Sequence, residues 1–400
     1  MMALLRCDRG HEIDDSALHR LCPECGAPLS YVFEGSLKRE TSDQSMWRYR
    51  SHLPVDPACI VSLGEGGTPL LRTRLPLGSN VYWKNETRNP TGSQKDRALS
   101  VAISAAVQRG ARRLIMASTG SAGFACAAYA ARAGLPCYIL CPAETPVERL
   151  IGMWMLGAQI LPVRGSFEDL MKIIATARDR WGYCETTTYR RANPYQAEGP
   201  KTIAYEIFDQ LGGRAPDVVI VPVGGGGTLS GIGKGLAELL AMGLISKIPR
   251  LVAVQNVQFN ALALALERDL HTEADIEALG LDAHVQVLTR NLKHAVPPDA
   301  EDALAAIRAS GGSVVQVTDQ EALEAQRELA RADGIFAEPS SSVGLVAVRK
   351  LTASGQLKSS ETAVAVITGS ALREMGVVAE THHPEIKLYQ VQDALSALQR

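Results

Sequence analysis

A lysine that gives up its proton is a nucleophile toward carbonyl carbon, and the segment Asn89-Pro90-Thr91-Gly92-Ser93-Gln94-Lys95-Asp96-Arg97 places one at a promising point. Pro90 and Gly92 punctuate a turn, and the alanine-rich stretch 97–108 reads as a helix. Lys95 then falls at a loop-to-helix junction, where the positive end of the helix dipole disfavours an ammonium. Two further stretches carry residues suited to anions. Gly224-Gly225-Gly226-Gly227-Thr228 lies between a buried apolar run at 218–223 and a helical pattern from 229 to 242. Backbone N–H groups there can approach a phosphate with no side chain in the way, and Thr228 adds a hydroxyl. The loop lacks the Gly-Lys-Ser/Thr ending of a Walker loop and the spacing of a dinucleotide fingerprint. Ser118-Thr119-Gly120-Ser121-Ala122 likewise separates a short strand at 113–117 from a helix ending near Gly134, and offers free N–H groups at a helix start. Near the N-terminus, Cys7-x3-His11 and Cys22-Pro23-Glu24-Cys25-Gly26 have the form of two zinc-ribbon knuckles. Three thiolates and one imidazole would make a closed, structural tetrahedral site, with His19 as the rival to His11 for the fourth position.

These residues need elements to hold them. Between 113 and 180 the chain alternates strand and helix: strands at 136–141 and 159–163, a helix opened by a Thr145–Glu148 capping box, and a helix at 166–180. Such alternation predicts a parallel sheet covered by helices. A second block follows, with a helix from 198 to 211, strands at 218–223, 250–255, 313–318 and 362–367, and a helix from 318 to 333. Residues 256–300 show no period and read as irregular.

Composition narrows the class. The 400 residues are 46% apolar and 21% charged with a net charge of −2, which fits a soluble globular protein and gives no field for nucleic acid. No apolar run is long enough to span a bilayer, and residues 1–15 lack a signal peptide's apolar region, so a cytoplasmic protein is expected. The eight cysteines suit a reducing compartment with a small metal site rather than a disulfide framework.

Taken together, the ribbon, the loop around Lys95, Asn193-Pro194-Tyr195, Glu198-Gly199, Lys201-Thr202, the tetraglycine loop, Gly334-Ile335-Phe336-Ala337-Glu338-Pro339 and Thr368-Gly369 resemble the fold-type II pyridoxal-phosphate enzymes, within them the threonine synthases. The resemblance implies two open, mostly parallel sheets flanked by helices plus the ribbon. It divides the chain into a ribbon at 1–35, a large cofactor domain at 36–97 and 196–400, and a small substrate-side domain at 98–195. It implies Lys95 as the residue that carries pyridoxal 5′-phosphate, with Ser121, residues 224–228 and Thr368 also contacting it. Ser118 to Ala122 would grip an amino-acid substrate, the reaction would be elimination or replacement at its β or γ carbon, and the protein would be a homodimer. Cysteate synthases, threonine or serine dehydratases and other β-replacement enzymes share the pattern, and a catalytically silent binding protein is the reading from another class. Several positions depart from it. Ser121 stands where asparagine is usual, Gln196 where an arginine follows Asn-Pro-Tyr, Pro200 for glutamine, Ser166 for asparagine and Gln94 for phenylalanine. Those changes draw attention to Arg190 and Arg191, whose forked guanidinium groups suit an anion.

Overall fold

The computed structural model, which describes residues 3–382, is built on two mostly parallel sheets and a small antiparallel one. The larger is built around Val218–Pro222, a β-branched run that is buried along its whole length. Burial on both faces is what a continuous apolar strand demands, and helices supply it. Arg250–Asn256 and Thr362–Ile367 pair with this strand in parallel, with Val219 opposite both Leu251 and Val364. Ser313–Val317 and Asn80–Asn85 extend the sheet in parallel, and Leu70–Arg72 closes one edge antiparallel. The smaller sheet runs Gln159–Val163, Cys137–Pro142, Leu114–Ala117 and Cys184–Glu185, all parallel. An antiparallel trio, Glu12–Ile13, Ala3–Cys7 and Leu29–Phe33, forms the ribbon module. Residues 383–400, which the sequence reading places in the large domain, lie outside the described residues. No helix among the described residues is long and apolar enough to cross a membrane.

Three local expectations need correction. Thr145 does not cap the following helix; its hydroxyl donates to the Pro142 carbonyl, and the helix Val147–Met155 starts after Pro146 with no side-chain cap. Ser166 instead forms a complete capping box with Asp169 at the head of Phe167–Trp181, so the serine at this position already has a structural task. The stretch 256–300 is also more ordered than its pattern suggests. It holds the helices Ala261–Glu267 and Glu273–Glu277 and a 3-10 turn at Arg290–Leu292. The alternating Ala-Leu run at 261–266 mimics strand period, but Ala261, Leu262 and Ala265 are the residues it buries, a helical face.

A buried charge cluster ties the segment carrying Lys95 to the large sheet. The fully buried Arg97 guanidinium donates to Glu86 at 2.7 Å and to Glu206 at 2.6 Å, and Lys84 reaches Glu206 at 2.6 Å. Thr68, from the Gly-Glu-Gly-Gly-Thr turn, donates to Glu86. Burial alone would raise Glu86 and Glu206, but the Arg97 and Lys84 charges outweigh it and hold both carboxyls below the usual range. Gly199 completes the close fit: a Cβ there would stand 2.2 Å from the Arg97 carbonyl oxygen.

Candidate active site

The groups singled out by sequence follow the carboxyl ends of parallel strands, the edge at which open α/β sheets present ligand sites. Asn80–Asn85 leads to Lys95, Val218–Pro222 to the glycine loop, Thr362–Ile367 to Thr368, and Leu114–Ala117 to residues 118–122. The helix Lys95–Gln108 begins on Lys95 itself. Its loop is fastened on several sides. Asp96 accepts the Thr91 N–H at 3.1 Å and the Thr91 hydroxyl at 2.8 Å, the Asn89 side chain accepts the Gly66 N–H at 2.9 Å, and the Gln94 N–H donates to the Thr368 carbonyl at 2.9 Å. The lysine amine, by contrast, is loosely held, with a long 3.4 Å contact to the Thr188 hydroxyl. Desolvation lowers its pKa, and Asp299 partly opposes that shift. A rigid stem with a lightly tethered, deprotonatable amine is the arrangement a covalent anchor requires.

Two loops that follow these strands carry unspent donors. Among the described residues, the N–H groups of Gly224, Gly225, Gly226, Gly227 and Thr228 have no acceptor, and the helix Gly227–Ala241 begins inside the loop. On the smaller sheet the N–H groups of Thr119, Ser121 and Ala122 are similarly unpaired, while Ser118 Oγ takes the Gly123 N–H at 3.0 Å. Ser121 opens the helix Ser121–Ala133, and Gly120 lies at its N-terminus without a side-chain cap. Orphaned donors at helix starts are ready anion sites, so both loops fit the phosphate and carboxylate they were expected to hold.

The glycines have a second reason for being glycine. A Cβ at Gly224 would stand 2.1 Å from the Asn291 carbonyl oxygen, at Gly226 2.7 Å from the Asp299 carbonyl oxygen, and at Gly227 2.6 Å from Asp299 Oδ2. Gly226 also takes a left-handed φ of 97°. Segment 291–299 is therefore pressed against the loop, whose N–H groups are left free.

That segment, in which Asn291 to His294 have no counterpart in the family pattern, supplies residues to which the sequence assigned no role. Asn291 approaches Gly120, His294 lies against Gly224 and Gly225, and Asp299 lies against Gly226 and Gly227. His294 keeps an exposed face; desolvation and then the Lys95 charge lower its pKa. Thr188, which follows the strand Cys184–Glu185, was missed as well. No period or spacing in 256–300 marked these residues; only the unusual density of polar side chains beside Pro297-Pro298 could have drawn attention.

Thr368 exchanges a hydrogen bond with Ser341 at 2.7 Å, and Ser341 donates to Glu338 at 3.1 Å, so the hydroxyl expected to meet the cofactor ring is oriented from behind. Arg190 and Arg191 do not meet the expectation of a free anion fork. Arg190 is clamped between Asp302 at 2.6 Å and Asp8 at 2.9 Å, and Arg191 reaches Glu301 at 3.0 Å. Gln196 is buried with its Nε2 unpaired. Tyr195 holds the ribbon: its hydroxyl accepts the His19 N–H at 3.0 Å and donates to the Ala17 carbonyl. A cavity of about 990 Å³ between the ribbon and the helices Gly227–Ala241 and Ala300–Ala309 contains none of the Lys95 cluster and belongs to a different face.

In the ribbon, ligand atoms of Cys7, His11, Cys22 and Cys25 all lie within 4.8 Å of one another. The Cys7–Cys25 sulfur separation is 3.8 Å and the Cys22 sulfur to His11 Nδ1 distance 3.6 Å. Tetrahedral zinc with bonds near 2.3 Å to sulfur implies ligand separations of about 3.5–3.8 Å, so the donor set fits a closed metal site. His19 is turned away, with Nε2 2.9 Å from the Asp14 carbonyl oxygen.

The profile of a family described as "Pyridoxal-phosphate dependent enzyme" matches residues 61–369. The threonine synthase of Methanocaldococcus jannaschii is 33% identical over 96% of this chain and 95% of its own. That of Methanosarcina acetivorans is 32% identical over 94% and 93%. Among solved structures, a threonine deaminase isoform from Solanum lycopersicum superposes with a TM-score of 0.66 at 18% identity, covering 92% of this chain and all 100% of the other. O-ureido-L-serine synthase superposes with a TM-score of 0.64 at 22% identity, over 82% of this chain and 96% of that one. These two likenesses establish a shared fold.

Proposed function

Because the chain belongs to the pyridoxal-phosphate dependent enzyme family, we propose that it is a lyase or synthase of the threonine synthase type, acting on an amino acid that carries a leaving group at its β or γ carbon. The observation that carries this is that His294 and Asp299, both close enough to interact with the Lys95 charge, lie against Gly224–Gly227, while Asn291 reaches both Gly224 and Gly120. Gly224 to Thr228 would hold the cofactor phosphate, Lys95 would carry its aldehyde carbon, and the Thr368 hydroxyl would serve its ring nitrogen. When bound, the cofactor supplies an electron sink that acidifies the substrate's α C–H. The chain's own residues do the rest. The N–H groups of Thr119, Ser121 and Ala122 would orient the substrate carboxylate, and the Lys95 amine would carry the α-proton, a task its lowered pKa favours. Ser121 is too short to reach where an asparagine amide would, so its contribution is its N–H at the helix start. Dehydratase or β-replacement chemistry remains the second reading, favoured by the pairing of Arg190 and Arg191 with acids and by Gln196 in the arginine position.

Adding O-phosphohomoserine to the cofactor-loaded protein is expected to shift the visible absorption band and release inorganic phosphate. A shift with serine or threonine and ammonia release, without phosphate release from O-phosphohomoserine, would assign the dehydratase reading. A protein that stays colourless after incubation with the cofactor would overturn both.

The ribbon is proposed as a structural zinc site of Cys7, His11, Cys22 and Cys25. Metal analysis of freshly purified protein should return about one zinc per chain, and Cys22→Ser should abolish it. The module docks through Tyr195 and through Lys234, whose amine donates to Ser30 and the Tyr31 carbonyl. Chelation should therefore lower the thermal midpoint and leave the visible band in place. Purified protein without metal, or Cys22→Ser that still binds zinc, would remove the assignment.

A further inference from the structure

Asp299 has no part in the reaction outlined above, yet it occupies the back of the phosphate cradle. It is 4% exposed, and its backbone N–H donates to the Gly225 carbonyl at 2.8 Å. Oδ1 accepts the Arg190 N–H at 2.8 Å. Oδ2 has no hydrogen-bond partner and lies against Gly227, one of the residues whose N–H is unpaired. A buried carboxyl oxygen without a partner is costly, and beside an anion site it is doubly so while it stays charged. The structure thus presents a question of its own: what does Oδ2 meet when the cradle is filled?

We propose that Asp299 binds the cofactor's phosphate as a hydrogen-bond donor through Oδ2, so that filling the cradle takes one proton from solvent onto the Asp299 carboxylate. The inference rests on the reading of residues 224–228 as the phosphate site. The alternatives for Oδ2 are limited by its neighbours. From the loop after Cys184–Glu185, Tyr189 and Arg190 face it, and the Arg190 guanidinium is already shared between Asp302 and Asp8. From the helix Ala300–Ala309, Asp302 adds a second negative charge. His294, on segment 290–294, is a weak base here. The compensating cations are Lys95 and, less, the already shared Arg190. Burial first, and Asp302 after it, raise the Asp299 carboxyl to about 7 in spite of the Arg190 N–H and Lys95. A phosphate dianion arriving at the cradle, and the cofactor's engagement of the Lys95 amine, both push in the same direction. The acid form is then the form that fits: an O–H donor where a carboxylate would repel.

The sign follows. With the free-state carboxyl near 7, binding that requires the acid form weakens as pH rises above that value. The experiment uses pyridoxine 5′-phosphate, which has the phosphate and ring but no aldehyde, so that Lys95 chemistry does not enter; its phosphate is already a dianion above about pH 6. Titration calorimetry at about pH 8 in two buffers of different ionisation enthalpy should report uptake of about one proton per site for the parent protein and none for Asp299→Asn. Between about pH 7.5 and 9 the parent Kd should rise roughly tenfold per unit, while that of Asp299→Asn stays flat. Proton uptake near zero in the parent protein overturns the proposal without recourse to any variant, as does an Asp299→Asn protein with the parent's pH slope. Absence of binding at every pH removes the cradle reading and the proposal with it, an outcome separable from pH-independent binding, which removes the proposal alone.

Discussion

Replacing Lys95 with alanine is expected to lower turnover by more than about a thousandfold while the protein remains folded. The loss combines two roles in one amine, the covalent anchor and the proton carrier, and a positioned acid–base group alone contributes roughly a hundred- to ten-thousandfold. Little stability should go with it. The Lys95 amine is half-buried and makes a single long hydrogen bond, whereas the loop is held by Asn89, Thr91, Asp96 and backbone bonds that the substitution leaves intact. Borohydride treatment of the loaded parent protein should fix the chromophore to the peptide containing Lys95, and the alanine variant should yield no labelled peptide. Turnover within tenfold of the parent in Lys95→Ala would exclude the assigned role.

The second large effect is structural and lies two residues further on. Arg97→Ala leaves Glu86 and Glu206 buried with Lys84 as the remaining cation. Removing one partner of a buried pair costs about 3–5 kcal/mol, because the charge left behind keeps its desolvation penalty. Arg97→Lys should recover only part of this, since one ammonium cannot reproduce the fork that spans both carboxylates. Urea denaturation of the three proteins checks the order. An alanine variant within about 1 kcal/mol of the parent would show that the cluster adds nothing to stability. The same cluster has a pH signature. Because Glu86 and Glu206 are held below their unfolded values, their stabilisation is complete above about pH 4.3 and is lost as pH falls through the folded range, so the Arg97-dependent difference should shrink in acid.

How much of this was legible beforehand varies with the range of the interaction. The strand at 218–222, the turn of four glycines and the helix after it were readable because each rests on short-range rules: β-branched runs extend, glycine admits left-handed backbone such as φ 97° at Gly226, and helix starts leave donors unpaired. The Thr145 capping box failed for a related reason. Its two residues have the right spacing, but the Pro142 carbonyl offers the hydroxyl a nearer partner. Gln196 and Ser166 could be recognised as departures, and the structure assigns Ser166 to a cap, which no comparison of letters foresaw.

By itself, then, the sequence determined the two α/β blocks, the lysine at the head of a helix, the loops with free N–H groups and three ribbon cysteines with two candidate histidines. The tertiary structure decided which of these meet and what else meets them. It spent Arg190 on Asp8 and Asp302, turned His19 to a carbonyl, oriented Thr368 through Ser341, and laid Asn291, His294 and Asp299 against a loop far earlier in the chain. The physical reason is that a backbone donor's availability follows from its own few neighbours, whereas the charge and the oxygen that come to face it are set by packing between segments with no common period to announce them.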